Sequence, residues 1–241
     1  MRESLNGIVL NVVKVNDRNN IAHVYTRERG LMSLLVRQGT SRASRQRAAL
    51  MMPLQLIAFE AHARPGQELA MMGEARRTML PVSIMGDPVK TAIALFMGEL
   101  LTRVIQEHER NEALYAFLEG SVRLLEEQRR GVANFHICFL FRLGRFIGIE
   151  PDTGGYAPGR WFDMDEGVFV AAAVPAHRML APAEARVIQL LSRMTFANMH
   201  LFRFNRHERN AMLDTIIAYY RLHNSALGTL RSPQVLQQLF T

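Results

Sequence analysis

The residues with the clearest chemical potential lie in the stretch RQGTSRASRQR, which covers residues 37–47. It contains four arginines and no carboxylate: Arg37, Arg42, Arg45 and Arg47. The acid-free region is longer still, because no Asp or Glu occurs between Glu28 and Glu60. A guanidinium offers a planar fork of donors, which phosphate oxygens accept in pairs. We therefore predict that this arginine segment binds a polyanion.

Hydroxyl side chains in the arginine segment would add neutral donors to phosphate oxygens: Thr40, Ser41 and Ser44. If the segment were extended, the arginines would span about 33 Å, which covers several phosphates of a nucleic-acid strand. The alternative is a solvated loop that binds nothing. We favour binding, because runs of like charge are often interaction surfaces.

Other residues that could do chemistry give weaker signals. Asp163, Asp165 and Glu166 form an acidic cluster, which could hold magnesium in a nuclease, but the surrounding WFDMDEGVF more simply predicts a hairpin. Three histidines near the C-terminus lack metal-ligand spacing: His200, His207 and His223. Cys138 is the only cysteine and lies in an apolar stretch. We predict no catalytic residues, no metal and no cofactor.

Net charge is concentrated at one end of the chain. Residues 1–80 hold 12 basic and 6 acidic residues, whereas residues 81–241 hold 17 and 16, for a total of +7. Charge that served only solubility would be spread evenly along the chain, so this uneven distribution again favours a polyanion partner. The sequence has no apolar run long enough to cross a membrane, and we expect no signal peptide. The single cysteine suits a reducing cytoplasm.

Two kinds of pattern divide the chain near residue 80. Five short strand-like segments, separated by turn residues, fill residues 1–80 and predict a small β-barrel. Helical spacing dominates residues 81–241, starting with Asp87-Pro88 as cap and first helical residue. An inserted hairpin is expected at residues 151–175. The fold class is therefore α+β, with an N-terminal barrel domain and a mostly α-helical C-terminal domain.

A five-stranded barrel with a basic loop is typical of the oligonucleotide/oligosaccharide-binding (OB) fold, which holds single strands by cationic grooves and aromatic stacking. Tyr25 and Phe59 are the only large aromatic residues in the first 80 positions. Phe59 lies within LQLIAFEA and is expected in the core. Affinity should consequently depend on phosphate contacts more than on stacking.

The whole chain resembles the RecO family of bacterial recombination mediators. The stretch GIVLNVVKVNDRNNIAHVYTRERGLMSLLVRQGTSRASRQRAALMMPL is similar to the family's opening strands and basic loop. ALFMGELLTRVIQEHERNEALYAFL resembles its first helical pair, and IIAYYRLHN with LGTLRSPQVLQQLF resembles a C-terminal signature of some branches. Some members carry a four-cysteine zinc module, but residues 151–175 contain no cysteine here.

The resemblance implies an OB-fold barrel that binds single- and double-stranded DNA through the arginine segment and anneals complementary strands. It implies partnership with RecR and docking on the C-terminal tail of single-stranded DNA-binding protein, so that RecA is loaded indirectly. A nucleoid-associated cytoplasmic protein without a membrane partner is expected. The tail-docking residues correspond only roughly, to Leu101, Arg103, Ile105, Tyr115 and Arg123. An RNA-binding module with the same barrel remains an alternative, as does the magnesium-dependent nuclease.

Overall fold

The N-terminal strands form a closed barrel. The computed structural model describes residues 2–62, 69–106 and 108–239. The strands are β1 (Arg2–Lys14), β2 (Asn19–Thr26), β3 (Gly30–Arg37), β4 (Leu56–His62) and β5 (Ala70–Arg77), and their order around the barrel is β1-β2-β3-β5-β4. All neighbours are antiparallel except β3 and β5. This arrangement confirms the predicted five-stranded OB-fold barrel.

The barrel is filled by side chains that alternate along each strand. Val9, Val24 and Leu34 have no exposed surface, and they come from three neighbouring strands. Because successive side chains of a strand point to opposite faces, every second residue of these strands enters the interior. Phe59 and Met72 close the other side of the same core. The barrel is therefore a packed scaffold, and ligands must bind on its outer strand faces or on the connections between strands.

Among the described residues of the first part of the chain, three helices follow the strands and one interrupts them. They are α2 (Val82–Gly86), α3 (Pro88–Val104) and α4 (Glu112–Glu127), and a short helix α1 (Arg42–Ala48) lies between β3 and β4. Asp87 caps α3 as predicted, because its side chain accepts hydrogen bonds from the Val89 and Lys90 amides. Helix α3 approaches β1 closely at Gly98, where a Cβ would lie 2.7 Å from the Leu10 carbonyl oxygen.

The second part of the chain is built around one apolar helix. Helix α5 (Phe135–Phe146) is buried along most of its length, as its composition predicts. Helices α6 (Pro182–Arg193) and α7 (Arg206–His223) pack against it, and α8 (Ser232–Leu239) contacts α7 through Gln237. The Tyr220 hydroxyl donates to the Leu140 carbonyl over 2.6 Å and so joins α7 to α5. Burial keeps two α5 groups unreactive, because it lowers the pKa of His136 to about 3 and raises that of Cys138 to about 12.

The inserted region forms the predicted hairpin and one strand more. Strands β6 (Trp161–Asp163) and β7 (Val168–Val170) pair in antiparallel fashion, and β8 (Met179–Leu180) adds to the free side of β6. Phe162 and Phe169 are buried with their ring centroids 5.0 Å apart, whereas Trp161 is only half-buried. The sheet thus holds by aromatic packing.

A buried carboxylate fastens the hairpin turn. Asp163 Oδ1 accepts the amides of Asp165 and Glu166, and Oδ2 lies 2.7 Å from Nδ1 of His177. Burial raises the pKa of Asp163, but the hydrogen bonds from His177 and the two amides outweigh that effect and lower the pKa below its ordinary 3.8. The same hydrogen bond raises the pKa of His177 above its ordinary 6.5.

This pair predicts a pH-dependent contribution to stability. The Asp163 part is present above pH 3.8 and is lost as pH falls through its lowered pKa; the His177 part is full below pH 6.5 and is lost as pH rises through its raised pKa. We expect His177→Gln to lower the Tm most near pH 5.5 and least near pH 8.5, measured by thermal unfolding. Exposed His207→Gln is the control. A Tm difference for His177→Gln that is constant over this range would contradict the pairing.

Packing divides the chain into two compact units, Met1–Glu127 and Gln128–Thr241. Strands give way to helices near residue 80, where the sequence pattern changes, but α3 packs against β1 and so belongs to the same compact unit as the barrel. Among the described residues, no helix has both the length and the apolar character needed to cross a membrane.

Candidate nucleic-acid interface

The arginine segment is folded into a short helix instead of an open loop. Ser41 is the N-cap of α1, and its Oγ accepts a hydrogen bond from the Ser44 amide. Seven helical residues rise about 10 Å, so the predicted extended span of about 33 Å is wrong. The helix concentrates the charges instead of spreading them. It therefore suits a few neighbouring phosphates better than a long stretch of strand.

Helix α1 directs two of its arginines to solvent. Arg42 and Arg45 are three residues apart, so they share one helix face with about 5–6 Å between their Cβ atoms, and both are exposed. Arg37, at the end of β3, is exposed as well. Arg47 is half-buried, and its Nη2 lies 3.4 Å from Ser44 Oγ. Three of the four predicted arginines are thus free to meet phosphate.

The barrel fixes the position of α1 at both of its ends. Leu50, two residues after the helix, is buried in the barrel core. Arg77 of β5 donates to the Ala49 carbonyl over 2.7 Å, and the Gln38 amide donates to the Arg18 carbonyl over 2.7 Å. The exposed arginines are therefore presented from a rigid base, which reduces the entropy lost when a ligand binds.

The cations of the arginine segment are not neutralised by the protein. In the part of the chain that the structure describes, none of its four arginines forms an ion pair. Arginines at the other end of strand β2 are paired: Arg29 with Glu3 at 2.8 Å and Arg27 with Glu119 at 2.9 Å. Among the described residues, the barrel thus carries paired arginines at one end and unpaired arginines at the other.

The predicted hydroxyl donors contribute less than we expected. Ser44 is buried, and its Oγ accepts a hydrogen bond from the Ser41 hydroxyl over 3.0 Å. Both serines are consequently used to build the helix N-terminus. Thr40 is exposed and remains a candidate donor to phosphate.

One further cation at this end escaped the sequence analysis. Arg18, in the β1–β2 turn, is exposed. Its carbonyl accepts a hydrogen bond from the Gln38 amide, which places it beside the start of the arginine segment. Neighbouring Lys14 is instead paired with Asp17 at 2.7 Å. The strand register brings Arg18 here, since Asn19 pairs with Arg37 across β2 and β3. The turn cluster NDRNN did indicate a strand connection, but its neighbour in space follows only from that register.

Aromatic stacking has no support on this barrel. Tyr25 and Phe59 are 1% and 3% exposed, so neither presents a ring face to a base. The prediction that Phe59 is a core residue is confirmed. Binding at this interface must therefore depend on phosphate contacts.

The predicted tail-docking residues do not form an exposed groove. Leu101, Ile105 and Tyr115 are all at most 3% exposed, because α3 and α4 use them as core. The guanidinium of Arg27 lies 4.9 Å above the Tyr115 ring. Arg123 pairs with Glu119 at 2.7 Å, while Arg103 is exposed. Of this group only Arg103 is placed to meet a partner without rearrangement.

The acidic cluster of the hairpin has a structural explanation. One oxygen of Asp163, one of Asp165 and a His177 nitrogen lie within 4.8 Å of one another, and Glu166 is not part of this group. The Asp163 oxygens already accept bonds from His177 and two turn amides, which accounts for their position. His223 bonds to the Met164 carbonyl, and His200 and His207 are exposed. No other candidate metal group occurs in the described ranges.

Comparisons with known proteins point in one direction. Residues 1–78 match the family model "Recombination protein O N terminal", and residues 85–226 match "Recombination protein O C terminal". The chain is 42% identical to a protein of Phocaeicola vulgatus over 98% of both chains, and 41% identical to one of Bacteroides fragilis over 97% of both. A Porphyromonas gingivalis protein is 38% identical, also over 97% of both. All three relatives are named DNA repair protein RecO.

Proposed function

Because the chain belongs to the RecO family, we propose that it is a non-catalytic DNA-binding mediator of recombinational repair. One observation supports this above all others: Arg42 and Arg45 of α1 are exposed on the barrel and have no carboxylate partner within the described ranges. Its relatives are named DNA repair proteins, which agrees with a nucleic-acid ligand. The compartment we infer is the cytoplasm, at the nucleoid.

The proposed mechanism is electrostatic. Arg37, Arg42 and Arg45 neutralise phosphates of one strand, with Arg18 and Thr40 beside them, and counterions are released. The repulsion that a complementary strand meets is then smaller, so the two strands pair faster. Because the rings of Tyr25 and Phe59 are buried, the contacts are made to phosphate, and binding should not depend on base sequence. Single- and double-stranded DNA are both ligands in this scheme.

We assign DNA binding to residues 1–80 and partner recruitment to residues 81–241. The partners are RecR and the C-terminal tail of single-stranded DNA-binding protein, so that RecA is loaded on the exposed strand. Arg103 is the exposed cation that stays a candidate for an acidic tail.

A strand-annealing assay tests this proposal. The protein should accelerate pairing of complementary oligonucleotides at low salt, whereas Arg42→Gln with Arg45→Gln should not. Arg29→Gln with Arg110→Gln removes the same charge at the far end of the barrel, where Arg29 pairs with Glu3 and His108 bonds to the Leu31 carbonyl, and should anneal normally. Retention of RecR on the immobilised protein would support the partner assignment. Wild-type protein that fails to accelerate annealing, or that prefers RNA in competition, would contradict the proposal.

A further inference from the structure

Two further stretches of the chain contain several arginines and no acidic residue, as the arginine segment does. Residues 128–149 contain Arg129, Arg130 and two further arginines without an acidic residue. Residues 185–207 contain four arginines and two histidines, again without an acid. Residues 128–241 hold 13 basic and 8 acidic residues, a net charge of +5. Residues 81–127 hold 4 basic and 8 acidic residues, so the net charge of residues 81–241 taken together conceals this excess.

The two acid-free stretches pack against each other at one point. A Cβ on Gly131 would lie 2.7 Å from the His200 Cα, and Gly131 has a φ of +70° that disfavours other residues. Asn134 is buried and donates to the carbonyls of Met199 at 3.0 Å and Phe202 at 2.8 Å. This contact between the stretches is thus fixed by backbone approach and by a buried amide.

Cations surround that contact. We define the Gly131 cluster as Arg129, Arg130, His200 and Arg203, which are all exposed. Consecutive Cα atoms are about 3.8 Å apart, so each of these residues begins within roughly 12 Å of the contact. Within the described part of the chain, none of the three arginines forms an ion pair. Glu208, the next acid along the chain, accepts from the Asn205 amide in a capping box.

We propose that the Gly131 cluster is a second binding site for the phosphates of a nucleic-acid strand, separate from the α1 site. Packing of two acid-free stretches gathers arginines that form no ion pair among the described residues, and an external polyanion would neutralise them. The apolar Leu201, 68% exposed, projects from the same turn and is placed to contact a base. This inference rests on the proposed function in one respect, that the ligand is DNA. A protein with one site in each compact unit holds two strands at once, which annealing requires.

The test counts the strands bound per chain by calorimetric titration at 50 mM salt with an oligonucleotide of about 10 nucleotides. Wild type should bind two strands. The cluster variant Arg129→Gln, Arg130→Gln, Arg203→Gln should bind one. The α1 variant Arg42→Gln, Arg45→Gln should also bind one strand, because it loses the α1 site and keeps the Gly131 cluster. A charge-matched control in the same unit, with exposed residues outside the cluster, should bind two: Arg145→Gln, Arg178→Gln and Arg221→Gln.

Each result decides between the two sites. If wild type binds one strand, or if the cluster variant binds two, the second site does not exist. If the cluster variant binds one and the α1 variant still binds two, the Gly131 cluster stands and the proposed α1 site fails. If the cluster variant no longer bound an aspartate-rich peptide but still bound two DNA strands, the surface would belong to a protein tail and our inference would be overturned. Should the triple variant unfold, Arg203→Gln alone should weaken the second site about fivefold at 0.1 M salt; unchanged affinity there would overturn it.

Discussion

Reversing the charge of Arg42 and Arg45 together is expected to weaken single-stranded DNA binding by about 25-fold or more at 0.1 M salt. Each phosphate contact of a single strand contributes about 0.7 to the slope of log K against log salt, so two lost contacts amount to about 1.4 decades at this concentration. The residues are exposed on α1 and support no part of the barrel core. The loss should be equal for all base sequences, and fluorescence anisotropy with oligonucleotides of several compositions would measure it.

The matched control separates this effect from a general change in net charge. Arg29→Glu with Arg110→Glu alters the charge by the same amount in the same compact unit, at the end of the barrel where His108 bonds to the Leu31 carbonyl. Its affinity should stay within about threefold of wild type, because exposed charges beyond a Debye length are screened. An α1 variant that loses no more affinity than this control would remove α1 from the interface.

Truncation of Phe59 to alanine is expected to lower the free energy of unfolding by about 3–5 kcal/mol. The ring is 3% exposed and belongs to the barrel core with Leu5 and Val24. A Cβ on Gly7 would lie 3.2 Å from the Phe59 ring, so neighbouring strands are packed against it without spare space. Such a loss is a large fraction of the 5–15 kcal/mol that typically stabilises a domain. Urea denaturation of both proteins would measure it.

Phe59→Leu distinguishes a core residue from a stacking platform. Leucine keeps most of the buried volume, so unfolding should be affected far less than by alanine, and DNA affinity should equal that of wild type. If the ring stacked on a base, its loss would cost about 1–3 kcal/mol of binding free energy. Reduced DNA affinity of fully folded Phe59→Leu would therefore contradict the burial of this ring.

The barrel could be predicted from the sequence because its signals are local. Alternating apolar residues and turn clusters located all five strands, and the Asp87 cap located the start of α3. Helix α1 could not be separated from a loop by the arginine count alone. Ser41 as an N-cap, followed by eleven residues without Gly or Pro, was the available signal.

The surfaces were harder to predict, because exposure depends on what packs above a residue. Leu101 and Ile105 follow the same helical spacing whether they line a groove or a core, and only their burial in the folded chain shows that they are core. Arg18 needed the strand register, and the Gly131 cluster needed the contact between residues 131 and 200, far apart in sequence. Local patterns therefore gave the elements, while non-local packing gave the sites.

The most direct test of the account is the salt dependence of single-strand affinity, measured side by side for wild type and for Arg42→Gln with Arg45→Gln. If both arginines contact phosphate, the slope of log K against log salt should be less steep in the variant by about 1.4. Equal slopes for the two proteins would mean that α1 binds no phosphate, and the uncompensated charge at this end of the barrel would need another explanation.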